Sequence, residues 1–193
     1  MRSAIAAAVI LFSVPARADG TFFEGDVGLM SPIADDDYET AIDSSFKLGL
    51  RVGSGSAGRA FDVSYDFTPA SDDINNAIAD IDFQRHRVMF GARYVHPINP
   101  KANFFLRGAI GLDLIRETGT VLGQDFSETD LGLGLEVHAG VLFDLSPKLS
   151  IGGKLGIPFA FHFDDDDPDD PDDSDLEYTG VDLDVAFLLN VKF

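Results

Sequence analysis

From Thr21 onward, apolar and polar side chains alternate with a period of two along most of the chain. Successive side chains of an extended strand point to opposite faces, so this pattern predicts strands with one oily face and one polar face. The last stretch, Tyr178–Phe193, sets the pattern for the rest. Thr179, Val181, Leu183, Val185, Phe187, Leu189, Val191 and Phe193 fall on one side. Tyr178, Gly180, Asp182, Asp184, Ala186, Leu188, Asn190 and Lys192 fall on the other. It spans 16 residues. An average strand in a soluble domain has roughly five or six, whereas a tilted strand crossing a bilayer needs about nine to eleven.

Seven earlier segments repeat the pattern. Thr21–Met30 opposes Phe23, Val27 and Leu29 to Glu24, Asp26 and Gly28. Ser44–Gly53 opposes Phe46, Leu48, Leu50 and Val52 to Lys47, Gly49 and Arg51. Arg59–Phe67 sets Phe61, Val63, Tyr65 and Phe67 against Asp62, Ser64 and Asp66. Asp82–Val95 sets Val88, Phe90, Ala92 and Tyr94 against Arg87, Met89, Gly91 and Arg93. In Ala102–Ile115, Phe104, Leu106, Ile110, Leu112 and Leu114 oppose Asn103, Arg107 and Asp113. In Thr129–Phe143, Leu131, Leu133, Leu135, Val137, Ala139 and Val141 oppose Asp130, Gly132, Gly134, Glu136, His138 and Gly140. In Leu149–Phe163, Ile151, Leu155, Ile157, Phe159, Phe161 and Phe163 oppose Ser150, Gly152, Lys154, Gly156, Ala160 and His162.

The connections alternate in length. Ser54–Gly58, His96–Lys101 and Asp144–Lys148 are short and carry Gly or Pro, as turns do. Ser31–Asp43, Thr68–Ile81, Arg116–Glu128 and Asp164–Glu177 are about twice as long. Short turns on one side, long loops on the other and an even strand count predict an all-β fold: an eight-stranded, antiparallel, up-and-down transmembrane β-barrel. Its first and last strands must pair, because lipid offers an unpaired edge no partners.

A soluble barrel with an oily lumen would alternate in the same way. Three features decide between the two: a leading segment that sends the chain out of the cytoplasm, apolar faces almost free of charge, and the placement of aromatic residues. Phe23, Tyr94, Phe104, Phe143 and Phe193 stand at one end of the apolar faces, and Phe46, Tyr65, Phe67, Phe159, Phe161 and Phe163 at the other. Girdles at both interfaces belong to a membrane barrel. The polar set then points inward. Glu24, Asp26, Lys47, Arg51, Asp62, Asp66, Arg87, Arg93, Arg107, Asp113, Asp130, Glu136, Lys154, Asp182, Asp184 and Lys192 are expected to form a network of ion pairs that plugs the lumen, with the glycines of the sixth strand making room for long Arg and Lys side chains.

The final Leu189-Asn190-Val191-Lys192-Phe193 resembles the carboxy-terminal signature of bacterial outer-membrane β-barrels, and the whole chain after residue 18 is similar to the small OmpA- and OmpX-type barrel domain. The resemblance implies an outer-membrane location with periplasmic termini. It also implies an assembly signal in Leu189, Val191 and Phe193 read by the barrel assembly machinery, and contact with outer-membrane lipids and lipopolysaccharide. No OmpA-type peptidoglycan-binding domain is expected after the eighth strand.

Residues 1–18 read as a secretory signal peptide: basic Arg2, an apolar centre over Ala4–Val14, then Ala16-Arg17-Ala18 with the small residues Ala16 and Ala18 at the cleavage site. Residues 19–193 form the barrel domain. Without Arg2 and Arg17, 12 of the 14 basic residues remain against 33 acidic ones, a charge of about −21. Such a chain repels nucleic acid. It contains no Cys, so neither a disulfide nor a thiolate metal site is available.

Much of the acidity is local. Asp164–Asp175 holds nine Asp in 12 positions. It lacks the Gly and Glu spacing of an EF-hand. Asp164, Asp166, Asp169, Asp172 and Asp175 are the candidate ligands for weakly held calcium or magnesium, set against a plain solvated loop; no other cofactor is expected. His138 beside Glu136 suggests a base and its orienter, but no Ser accompanies them, and no catalytic residue is assigned. His96, before Pro97, is expected in a turn. The functional expectation is a structural or surface-interaction protein with a closed, charged lumen and acidic outer loops. The alternatives are a small barrel that moves or binds hydrophobic molecules and a lipid-modifying enzyme.

Overall fold

A computed structural model describes residues 20–34, 44–56, 58–71, 79–121, 124–163 and 176–193. Eight strands follow one another: β1 (Thr21–Ala34), β2 (Ser45–Ser56), β3 (Arg59–Ser71), β4 (Ala79–Asn99), β5 (Ala102–Val121), β6 (Gln124–Ser146), β7 (Leu149–Phe163) and β8 (Leu176–Lys192). Each pairs antiparallel with its neighbour in sequence, and β1 pairs with β8, so the sheet closes on itself. No edge is left to satisfy in lipid. The seam is continuous to its end: Phe193 N–H donates to the Thr21 carbonyl at 2.9 Å.

Following the pairing once round the ring from Phe22 returns to β1 at Pro32, ten residues further on. That stagger in an eight-stranded ring tilts the strands by about 40° and leaves an interior just wide enough for side chains. The β2–β3 turn is tight enough to need a left-handed residue, which Gly58 supplies at φ 78°.

The faces fall as the alternation requires. Leu29, Leu50, Phe61, Phe90, Ile110, Leu131, Leu155 and Val185 are outward and each at least half exposed. The charged set is inward. Most strands run further than expected, and β4, β5 and β6 do so most, with 21, 20 and 23 residues. Pairing continues to Ala79↔Val121 and Val121↔Gln124, so Arg116–Glu128 is mostly strand and not a long loop. Above the membrane both faces of a strand meet water. The apolar rhythm stops there, while the backbone ladder carries on. His96 likewise belongs to the end of β4, opposite Phe104, with its ring stacked on Tyr94 at 6.4 Å between centroids. Residues 1–19, holding the expected cleavage site at Ala16 and Ala18, lie outside the described residues, as does the acidic segment 164–175 with its metal candidates. So does the side chain of Phe163.

Candidate functional site

The chemistry of this fold is concentrated in the lumen. Eight carboxylates (Glu24, Asp26, Asp62, Asp66, Asp113, Glu136, Asp182, Asp184) and seven cations (Lys47, Arg51, Arg85, Arg87, Arg93, Arg107, Lys154) are buried there. Near-balance is what burial demands, since a buried charge is tolerated only with a partner.

Three tiers of pairing climb the barrel from the short-turn end. In the lowest, Arg93 grips Glu24 with two parallel bonds of 2.6 and 2.8 Å, and Arg51, directly across the strand pair, bonds the same carboxylate. Asn190 donates to it at 3.1 Å. Beside this group Arg107 bonds Asp62 at 2.6 and 2.8 Å, Ser64 Oγ at 3.0 Å, and Glu136. In the middle tier Lys47 bonds Asp184 and lies 3.5 Å from Asp26 and 3.6 Å from Asp66. Lys154 lies 3.1 Å from Asp26 and 3.5 Å from Asp184, and His138 Nε2 meets Asp184 at 3.0 Å. In the upper tier Arg85 forks onto Asp113 at 2.5 and 2.9 Å and reaches Asp182 at 2.6 Å, while Arg87 stands 3.4 Å from Asp113 and 3.6 Å from Glu136. The Arg forks suit carboxylates because planar, bidentate bonding fixes direction as well as charge.

Every residue of the expected network is inward except at the two ends. Lys192 is 41% exposed and pairs with Asp144 at 2.9 Å on the short-turn rim, apart from the buried tiers. Asp130 is half-buried near the top of β6, where the barrel opens to water. Arg85 was not expected in the network, although it shares its parity with Arg87 and Arg93. The inward glycines of β6 make room for more than Arg and Lys. A Cβ on Gly134 would meet Met89 and Arg87, one on Gly140 the Phe105 ring, and one on Gly132 the His162 ring. Gly91 on β4 is the clearest case of clearance for a cation. A Cβ there would lie 2.6 Å from both Nε and Nη2 of Arg107.

Below the charged tiers lies an apolar floor that alternation alone does not predict. Phe105, Leu142 and Leu188 cluster there, fully or nearly buried, with Val95 packed against them. The Arg93 guanidinium covers the Phe22 and Phe105 rings at 5.0 and 4.5 Å, a cation–π arrangement that joins the floor to the lowest tier. Beneath it opens a short vestibule of about 640 Å³ rimmed by Arg59, Lys148 and Lys192. His138, bonded to Asp184 with its other ring nitrogen 3.6 Å from Glu136, is part of the ion-pair lattice. Among the described residues no group of three His, Cys, Asp or Glu is placed to hold a metal ion.

Solved structures share this architecture. Neisserial surface protein A aligns over 90% of this chain and 97% of its own with a TM-score of 0.62 and 15% identity. A major outer membrane protein from Thermus thermophilus aligns over 91% and 100% with a TM-score of 0.60 and 13% identity. Ail, the attachment invasion locus protein of Yersinia pestis, aligns over 91% and 99% with a TM-score of 0.58 and 16% identity. These identities speak for the fold alone. No curated protein matches the chain by sequence. The family model described as the outer membrane protein beta-barrel domain matches residues 4–187. A closed ring of eight strands, oily without and ion-paired within, thus places the chain in the outer membrane protein beta-barrel domain family, in the bacterial outer membrane.

Proposed function

We propose that the protein is a sealed barrel that conducts nothing and works through the acidic surface at its outer end. The observation that carries this reading is the filled lumen. Ion pairs join Glu24, Asp184 and Asp182 to cations from other strands, one tier above another, and Phe105, Leu142 and Leu188 floor them. A hydrated ion would have to part several buried pairs to pass, and a buried charge drawn from its partner is strongly disfavoured.

Charge is divided along the axis as well. Outside the lumen, every acidic residue of the sequence except Asp19 and Asp144 belongs to the long-loop end, where Arg116 is the single basic residue. Arg59, Lys101, Lys148 and Lys192 belong to the short-turn end. The outer end therefore attracts cations and cationic partners and repels polyanions. The attachment invasion locus protein of Yersinia pestis has been crystallised with a heparin analogue, sucrose octasulfate; the sign of the outer end here opposes that ligand class. The fitting partners are cationic surfaces and divalent ions, the latter on Asp164, Asp166, Asp169, Asp172 and Asp175. No catalytic role is assigned; His138 is engaged by Asp184 within the ion-pair lattice.

Planar-bilayer recording tests the reading. Purified barrel at single-molecule density is expected to give no stable conductance step; a large, persistent one overturns the sealed lumen.

A further inference from the structure

Among the described residues the lipid-facing wall is apolar along most of its height, and a polar patch on β3 and β4 breaks it. Tyr65, Gln84 and His86 face outward on β3 and β4 and, with Leu48, Leu50 and Phe67, line an open groove of about 460 Å³. Tyr65 Oη and His86 Nδ1 are 2.8 Å apart, and the imidazole stands beside the Phe67 ring at 5.1 Å and the Tyr65 ring at 6.1 Å. In register, His86 lies between Phe67 and Leu114, still within the oily wall. Gln84 lies one step nearer the outer rim, directly across from Arg116, which is exposed.

Polar and ionisable groups facing hydrocarbon are expensive and mark function by default. An aromatic girdle accounts for Tyr65 alone, since its ring suits the interface. It does not account for an imidazole fixed to that hydroxyl, nor for an amide and a guanidinium stacked above it. When the Tyr65 hydroxyl donates to Nδ1, the ring's own proton is on Nε2, which becomes a free-facing donor. The patch then offers three donors in succession toward the outer surface: imidazole N–H, carboxamide and guanidinium. Directly below them is a trough of Leu48, Leu50 and Phe67. Donors above an oily trough match an anionic headgroup above an acyl chain. Arg116 is also the one basic residue outside the lumen at an otherwise acidic end, so it is the one cation of this rim that can pair with a phosphate, in spite of exposed Asp82 two residues beyond Gln84 on the same face.

We propose that this groove holds one phosphorylated, multiply acylated glycolipid of the outer leaflet, of the lipid A class. Its phosphate lies against Arg116, Gln84 and His86, and one acyl chain lies along Leu48, Leu50 and Phe67. The assignment rests on the membrane orientation of the barrel but not on its sealed lumen, so loss of lipid binding and appearance of conductance are separate failures.

Native mass spectrometry of the detergent-solubilised barrel tests it, with diphosphoryl lipid A, its dephosphorylated form and phosphatidylglycerol as probes. Wild-type protein is expected to retain one diphosphoryl lipid A, and to hold the dephosphorylated lipid and phosphatidylglycerol at least about ten-fold more weakly. Arg116→Gln and His86→Leu should each weaken the lipid A adduct at least about ten-fold, whereas Leu135→Ala on β6, outside the groove, should leave it unchanged. Equal retention of phosphatidylglycerol, equal loss in Leu135→Ala, or wild-type affinity in both Arg116→Gln and His86→Leu overturns the site. Heat-dependent gel migration verifies that each variant is folded; the two outward substitutions are read independently, so one poorly folded variant leaves the other to decide.

Discussion

Replacing Arg107 by Met tests whether the lumen is held by specific pairs or merely filled. Arg107 is fully buried, and its guanidinium serves Asp62 twice, Ser64 once and Glu136 once. Met keeps much of the volume and removes the charge. Two buried carboxylates then lose their nearest cation. Losing one partner of a buried pair typically costs about 3–5 kcal/mol. Some compensation is built in, because Arg51 lies 3.5 Å from Asp62 and Arg87 lies 3.6 Å from Glu136. The lower end of the range, about 3 kcal/mol, is therefore expected for the single substitution. Neutralising the orphans as well, in Arg107→Met with Asp62→Asn and Glu136→Gln, should recover most of that loss, since a fully neutral replacement buries no unpaired charge. Reversible urea unfolding in phospholipid vesicles measures both. A single variant within about 1 kcal/mol of wild type, or a triple variant no more stable than the single, refutes the pairing argument.

Two further substitutions probe space and face. Gly91→Ala should cost about 1–3 kcal/mol in the same unfolding experiment, because its methyl group occupies the position of the Arg107 guanidinium; a neutral result means Arg107 has room to spare. Val185→Arg places a cation on the lipid face between Leu29 and Leu155 near mid-membrane, and should cost about 2–4 kcal/mol. The same substitution without effect in vesicles would mean that this face does not meet acyl chains.

Period two carried the orientation of the strands because a strand that separates lipid from a charged lumen can shift by one residue only by turning its whole oily face inward. It carried the partners poorly. Lys47 and Asp184 are 137 residues apart in sequence, and β1 separates their strands in the ring. Their meeting depends on barrel radius and stagger, which no local pattern encodes. The apolar floor was hidden for a different reason: Phe104, Phe105 and Leu106 are oily on both faces, so alternation vanishes where Phe105 turns inward. The outer extensions of β5 and β6 were hidden because water on both sides removes the pressure to alternate. The Tyr65–His86 patch stood in plain view as polar residues on an outward parity, but only the register of β3, β4 and β5 sets Gln84 beside Arg116.

The central claim is that one parity of each strand meets lipid and the other a sealed, ion-paired interior. The native chain has no Cys, so single cysteines can be introduced and spin-labelled one at a time from position 183 to 189 of β8 in reconstituted barrel. Oxygen, which concentrates in acyl chains, should relax labels at 183, 185, 187 and 189 strongly and those at 184, 186 and 188 weakly. A flat profile, or one with its maxima at 184, 186 and 188, contradicts the account.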